Sequence, residues 1–254
     1  MIFYFSATGN CKYVASRLAA NTQEKMISIT ECIQNKEFTF ILSQEESIGL
    51  ISPTYAWGLP SIVCEFLEKL NLEFEKAPYA YFVATYGTTP GQTGYFANRY
   101  MEPKGVVFHS MFSIKMPDTW TPVFDLSKLE KVNRINGLAE SEISYMIEKI
   151  SNRECGDFMK RKVPRFAAKA MYKVGYNFIR KTNKFHVEDN CITCGLCEKS
   201  CPANAIKIQN EKPIWVKNKC IMCFGCLHRC PKFSIQYGRN TKKHGQYTNP
   251  NVKM

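Results

Sequence analysis

Along the first 150 residues, short runs of consecutive apolar positions alternate with stretches in which apolar residues recur every three or four positions. The consecutive runs fall at Ile2–Phe5, Met26–Ile29, Ser47–Ile51, Tyr79–Ala84 and Val106–Ile114. Apolar character without alternation is the mark of strands buried on both faces of a parallel sheet. The helical spacing occupies Lys12–Ala20, Ser61–Leu70, Gln92–Met101 and Leu126–Ile150. Pro60 stands where the first turn of a helix tolerates proline, and Gly137 marks where the last helix would break. Strand alternating with helix predicts an α/β fold, a five-stranded parallel sheet with helices on both faces.

Beyond residue 152 the pattern changes and so does the charge. The net charge of +12 is unevenly spread: residues 1–152 hold 13 Lys/Arg against 16 Asp/Glu, and residues 153–184 hold 10 against 2. A basic segment of this kind invites nucleic acid, but no recognition motif accompanies it, so no nucleic-acid partner is expected. No run of about 18 apolar residues occurs, so no transmembrane segment is expected. The start, MIFYFSATGN, lacks the basic region and cleavage site of a secretory signal. A cytoplasmic location is the expectation, and in a reducing compartment the 12 cysteines are metal ligands before they are disulfides.

Eight of those cysteines form a repeat. Cys191, Cys194, Cys197 and Cys201 recur 29 residues later as Cys220, Cys223, Cys226 and Cys230, and Pro202 and Pro231 close the two runs. Each half reads C-x2-C-x2-C-x3-C-P, the run of bacterial two-cluster ferredoxins, in which the fourth cysteine serves the other cluster. The expected ligand sets are therefore Cys191, Cys194, Cys197 with Cys230, and Cys220, Cys223, Cys226 with Cys201. Two structural zinc sites are the alternative; two matched, proline-closed runs favour two 4Fe–4S clusters. His186 and His228 are expected at the surface, since no ligand is missing. Lys199, Lys207, Lys217, Lys219, Arg229 and Lys232 surround the cysteines in sequence and would favour the reduced clusters.

Three loops of the first unit carry further chemistry. Ser6-Ala7-Thr8-Gly9-Asn10-Cys11 lies between the first strand and its helix, where free amides, the helix dipole and hydroxyls form a phosphate site. It has neither the lysine of a Walker loop nor a G-x-G-x-x-G fingerprint, so no nucleoside triphosphate or nicotinamide is indicated. Pro53-Thr54-Tyr55-Ala56-Trp57-Gly58 and Thr85-Tyr86-Gly87 leave the C-terminal ends of the third and fourth strands, where open α/β sheets bind ligands.

The stretch IFYFSATGNCKYVA resembles the FMN-phosphate loop of flavodoxins, with Cys11 where threonine is usual. The resemblance implies a flavodoxin-like first unit in which Ser6, Thr8, Gly9, Asn10 and Cys11 hold the FMN phosphate, Cys11 through its backbone amide. Pro53, Thr54, Tyr55, Ala56, Trp57 and Gly58 would lie along the isoalloxazine, with Tyr55 or Trp57 as the ring contact, and Thr85, Tyr86 and Gly87 on another side. With the cysteine runs, the whole chain resembles flavodoxin–ferredoxin fusions known mainly from anaerobes. The implied domains are 1–152 (flavodoxin-like, FMN-binding), 153–185 (a basic helical connector), 186–238 (a small α+β two-cluster ferredoxin) and 239–254 (a polar basic tail).

In the connector, Phe166, Ala170, Val174 and Phe178, with Ala167 and Met171, share a face at helical spacing and are expected to pack between the domains, leaving Arg165, Lys169 and Lys173 in water; a helix that binds a membrane surface or a partner is the alternative. The expected function is electron transfer among FMN, the clusters and partner redox proteins, which the basic charge suggests are acidic. The rival is a flavin-dependent reductase of a quinone or nitro compound. No acid or base stands inside the flavin loops, and Asp118 and Thr119 are the only nearby candidates.

Overall fold

The computed structural model describes residues 1–160 and 162–254. A parallel sheet forms the centre of the first unit. Its strands are β1 Ile2–Tyr4, β2 Met26–Ser28, β3 Ile48–Pro53, β4 Ala80–Tyr86, β5 Ser110–Lys115 and β6 Gly156–Asp157, counted within this sheet, in the order β2-β1-β3-β4-β5-β6. Every residue of β4 is buried, as a strand covered on both faces requires. The helices α1 Asn10–Thr22, α2 Ile29–Asn35, α3 Ser61–Lys69, α4 Thr93–Met101 and α5 Leu129–Ser151 supply that cover. Two cores result, one on each face. Phe3, Phe66 and Phe82 belong to one, and Val14, Val83 and Ile143 to the other.

Several boundaries differ from the apolar pattern. The second strand stops at Ser28 because its hydroxyl accepts the Glu31 amide and caps α2. The fifth begins only at Ser110, and Val106–His109 is loop. The last helix runs unbroken through Gly137, whose surroundings are open. The sixth strand, just two residues long, falls in the segment expected to be connector. A separate parallel pair, Thr39–Ile41 with Asn71–Glu73, extends the unit at its margin.

A helical segment from Arg165 to Ile179 follows, α-helical to Ala170, with i→i+5 turns over Met171–Tyr176. Its packing differs from the expectation. Ala168 and Tyr176 are the buried side chains, whereas Phe166, Val174 and Phe178 are 77%, 71% and 68% exposed. Aromatic hydroxyls that both pack and hydrogen-bond won the interior over plain hydrocarbon.

The small last unit holds two antiparallel pairs, the hairpin of Ile206–Gln209 with Lys212–Trp215 and the pairing of its first and last strands, Phe185–Val187 with Ile235–Tyr237. It is not tethered loosely: Ile221 is buried in the same core as Phe3 and Phe66. The polar basic tail packs back on the molecule, with Thr241, Tyr247 and Asn249 buried. Among the described residues no helix is long and apolar enough to cross a membrane.

Candidate functional site

The loops after β1, β3, β4 and β5 open at one end of the sheet around a cavity of about 420 Å3. Each loop is shaped by local chemistry. After β1, the Ser6 hydroxyl accepts the Gly9 amide at 3.1 Å, and Gly9 turns through φ +97° into α1. Among the described residues, the amides of Ala7, Thr8, Asn10 and Cys11 donate to no protein group. Thr8, Asn10 and Cys11 are also buried. Buried free amides at the start of a helix fit an anion such as the FMN phosphate.

The side chains of this loop have other tasks. The Asn10 carboxamide accepts hydrogen bonds from Tyr247 Oη at 2.9 Å and Asn249 Nδ2 at 3.2 Å, and donates to the Pro117 carbonyl. The Asn249 amide donates to the Thr8 carbonyl at 2.8 Å. The C-terminal tail is therefore a buttress for the loop. Cys11 Sγ lies 3.1 Å from Thr85 Oγ1, and burial pushes its thiol up to about 12, so it stays protonated. The Cys11 and Thr85 side chains thus satisfy one another, the Thr85 carbonyl accepts the Thr54 amide at 2.9 Å, and the Cys11 amide is left to a ligand.

After β3, Tyr55 and Gly58 exchange two backbone hydrogen bonds of 2.9 Å around Ala56 and Trp57, which sit at φ +47° and +66°. Neither is glycine, so the turn is strained and must be held from outside. Tyr172 of the connector holds it: its hydroxyl donates to the Leu59 carbonyl at 2.6 Å, and its ring lies where a Cβ on Gly58 would stand, 2.5 Å away. The Gln92 amide donates to the Trp57 carbonyl. Thr54 Oγ1 is buried with no partner among the described residues, a polar atom left for a ligand.

The fourth side comes from Met116–Trp120. Asp118 accepts from the Trp120 amide at 3.1 Å and from Thr88 Oγ1. Burial raises its pKa above the ordinary 3.8, against the lowering effect of those two bonds. Among the described residues it is the one carboxyl on the cavity wall.

The remaining wall belongs to the last unit. Met222, Cys223 and Phe224 line the cavity, and the Trp120 and Phe224 rings meet edge-on at 5.7 Å. Tyr55 stands between the two chemistries; burial first, and Cys223 next, raise its phenol pKa. Tyr176 joins all three segments, accepting from the Ser61 amide and donating to the Ile221 carbonyl, both at 3.1 Å. His228, expected at the surface, is 4% exposed: Nε2 donates to the Thr119 carbonyl and Nδ1 accepts the Tyr247 amide. Those two bonds define a neutral imidazole, and burial lowers its pKa to about 4. His186 is exposed, as expected.

The eight cysteines ring two small cavities of about 20 Å3 each. Cys191, Cys194, Cys197 and Cys230 line one; Cys201, Cys220, Cys223 and Cys226 line the other. The grouping crosses the repeat. The halves also match in detail, the Ala205 amide donating to Cys201 Sγ and the Ser234 amide to Cys230 Sγ, both at 3.3 Å. Such bonds stabilise thiolate and tune a cluster. The thiols encircle a space rather than converge: among the described residues, no three metal-binding side chains close on a single ion. That arrangement fits a cubane better than zinc, whose four sulfurs would stand about 3.8 Å apart at ordinary bond lengths.

All fourteen residues expected at the flavin cluster around one opening, and all but Gly9 and Gly58 line the cavity wall. Sequence reasoning missed Met116, Trp120, Val123, Phe124, Met171, Ile179, Met222 and Phe224. Met116, Trp120, Val123 and Phe124 lie in an irregular stretch, and Met171, Ile179, Met222 and Phe224 lie in other units, where helical spacing or the cysteine motif marks the segment without saying that it meets this cavity.

A family model described as "Flavodoxin domain" matches residues 1–143, and one described as "4Fe-4S dicluster domain" matches residues 190–235. No curated protein matches the chain. Among solved structures, rubredoxin oxygen:oxidoreductase from the anaerobe Desulfovibrio gigas is 15% identical, with a TM-score of 0.33, over 57% of this chain and 35% of that one. The chain thus spans about a third of that protein. A flavone reductase is 11% identical, with a TM-score of 0.35, over 85% of this chain and 80% of that one. Neither likeness is close enough to bear on activity.

Proposed function

The chain belongs to the flavodoxin domain family and carries a 4Fe–4S ferredoxin domain behind it, and we propose that it is an electron carrier holding FMN and two 4Fe–4S clusters and serving partner redox proteins. The observation that supports this most is the shared wall: one cavity is lined by the β1, β3 and β4 loops and by Met222, Cys223 and Phe224. When bound, FMN supplies two-electron chemistry divisible into single steps, and each cluster supplies one-electron exchange.

The chain's own residues do the positioning. The free amides of Ala7, Thr8, Asn10 and Cys11 would hold the phosphate, the Tyr55–Gly58 turn and Thr85–Gly87 would flank the ring, and the two crossed cysteine sets would hold the clusters. The set of Cys201, Cys220, Cys223 and Cys226 is the flavin's neighbour. Its loop is buried, with Ile221 at 4% and Met222 and Phe224 at 2% exposure. The other set faces outward, with Cys194 exposed and Ile192 55% exposed. The outer set is thus the port for a partner, and the basic surface suits an acidic one.

Anaerobic purification with metal and flavin analysis tests the inventory. About eight irons and one FMN per chain are expected; zinc in place of iron, or no flavin, overturns it. For the order of the two sets, Cys201→Ser should abolish flavin reduction by a one-electron donor acting through the clusters. If Cys201→Ser leaves that reduction at the wild-type rate, the order is wrong. The Asp118 carboxyl on the wall favours a second reading, a reductase of a quinone or nitro compound. Steady-state turnover of such an acceptor, lost in Asp118→Asn, would support it over the carrier.

A further inference from the structure

We propose that the exposed face of the connector helix docks on an anionic lipid bilayer. Its inner face is already used: Ala168 and Tyr176 are buried, Tyr172 is bonded to Leu59, and Met171 and Ile179 line the cavity. Phe166, Ala170, Val174 and Phe178 remain outside, four apolar residues at successive i, i+4 positions, and all four are exposed. In an α-helix such a row drifts by about 40° per step. The i→i+5 turns over Met171–Tyr176 rotate less per residue and keep the row on one side.

Beside this row runs a second, Arg165, Lys169 and Lys173, also exposed. Arg165 and Lys169 are steadied over the Tyr95 ring at 4.8 and 5.4 Å, and Lys181 lies over the Phe178 ring at 4.9 Å. Lys160 and Lys162 are paired with Glu142 and Asp157. Among the described residues, Arg165, Lys169, Lys173 and Lys181 meet no carboxylate. The sequence holds no acidic residue from Phe158 to Val187.

Exposed aromatic and branched side chains beside unpaired cations, with no acid among them, match the interface of a negatively charged membrane. The hydrocarbon enters the headgroup boundary while the cations meet lipid phosphates. An isolated hydrophobic row would suit many partners; the adjoining cationic row selects an anionic one. Met171 and Ile179, on the inner side of the same helix, would bring the cavity close to the bilayer.

The test uses the full, cofactor-loaded chain, sedimented with vesicles of phosphatidylcholine alone or with about 30% phosphatidylglycerol. Partitioning onto the anionic vesicles is expected to exceed that onto the neutral ones by about tenfold or more, and to fall in high salt. Lys169→Glu with Lys173→Glu, and separately Phe166→Ser with Val174→Ser and Phe178→Ser, should each lower it by about tenfold. All five positions are exposed, and unchanged cluster and flavin absorbance checks that the variants are folded. Absence of partitioning, or partitioning equal in wild type and both variants, overturns the proposal. So does a wild-type dimer in sedimentation equilibrium that the serine variant dissolves, since the row would then join copies of the chain.

Discussion

Gly9 carries the tightest constraint among single residues. At φ +97° it adopts a conformation that side chains rarely do, and a Cβ would stand 2.8 Å from that of Asn249. Gly9→Ala should cost about 1–3 kcal/mol in urea unfolding and weaken FMN binding in fluorescence titration. Asp118 offers a pH signature. Its folded pKa is raised by burial, so the protonated form is favoured in the native state. The associated stability is present below the ordinary carboxylate pKa and is lost as pH rises through the folded value. Asp118→Asn removes that loss, so its melting temperature should gain on wild type at pH 7 relative to pH 4. An equal difference at both pH values would show that burial does not control this carboxyl. Gly9 was legible in the sequence because glycine lets a strand-to-helix loop bring its backbone close to a ligand; the burial of Asp118 was not, since it packs against Gly87, on the loop of another strand.

Among the elements, the connector does more than its composition suggests. The Tyr172 ring fills the space over Gly58, and the Tyr176 hydroxyl ties the start of α3 to the Ile221 carbonyl. Tyr176→Phe leaves the Ser61 amide and the Ile221 carbonyl without that partner in a buried junction. A loss of about 1–3 kcal/mol is expected in chemical denaturation. Splitting of the transition, followed separately by flavin fluorescence and cluster absorbance, would show that this junction couples the two units. Periodicity found the helix but chose the wrong inward face. Phe166, Val174 and Phe178 have the higher hydropathy, yet the partner surface offers Leu59 and Ile221 carbonyls, which the Tyr172 and Tyr176 hydroxyls satisfy and plain hydrocarbon cannot.

The whole molecule is one assembly with a common wall rather than two modules on a string. Ile221 lies in the flavodoxin core, Phe224 meets Trp120, and the tail returns from the ferredoxin unit to Thr8 and Asn10. Stripping the iron with a chelator under reducing conditions should therefore loosen Met222–Phe224 and release FMN. Flavin fluorescence should rise as cluster absorbance falls, and unchanged FMN affinity would mean that the wall stands without the clusters. By itself the sequence determined the parallel α/β unit, the phosphate loop and the eight thiols, because each is a local pattern of hydrophobic period, turn or ligand spacing. Tertiary structure alone decided which cysteine set borders the large cavity, what buttresses the loop after β1 and which side of the connector is exposed. Those outcomes depend on contacts between segments far apart in the chain, such as Asn10 and Asn249, 239 residues apart, and no local pattern encodes which distant surface a face will meet.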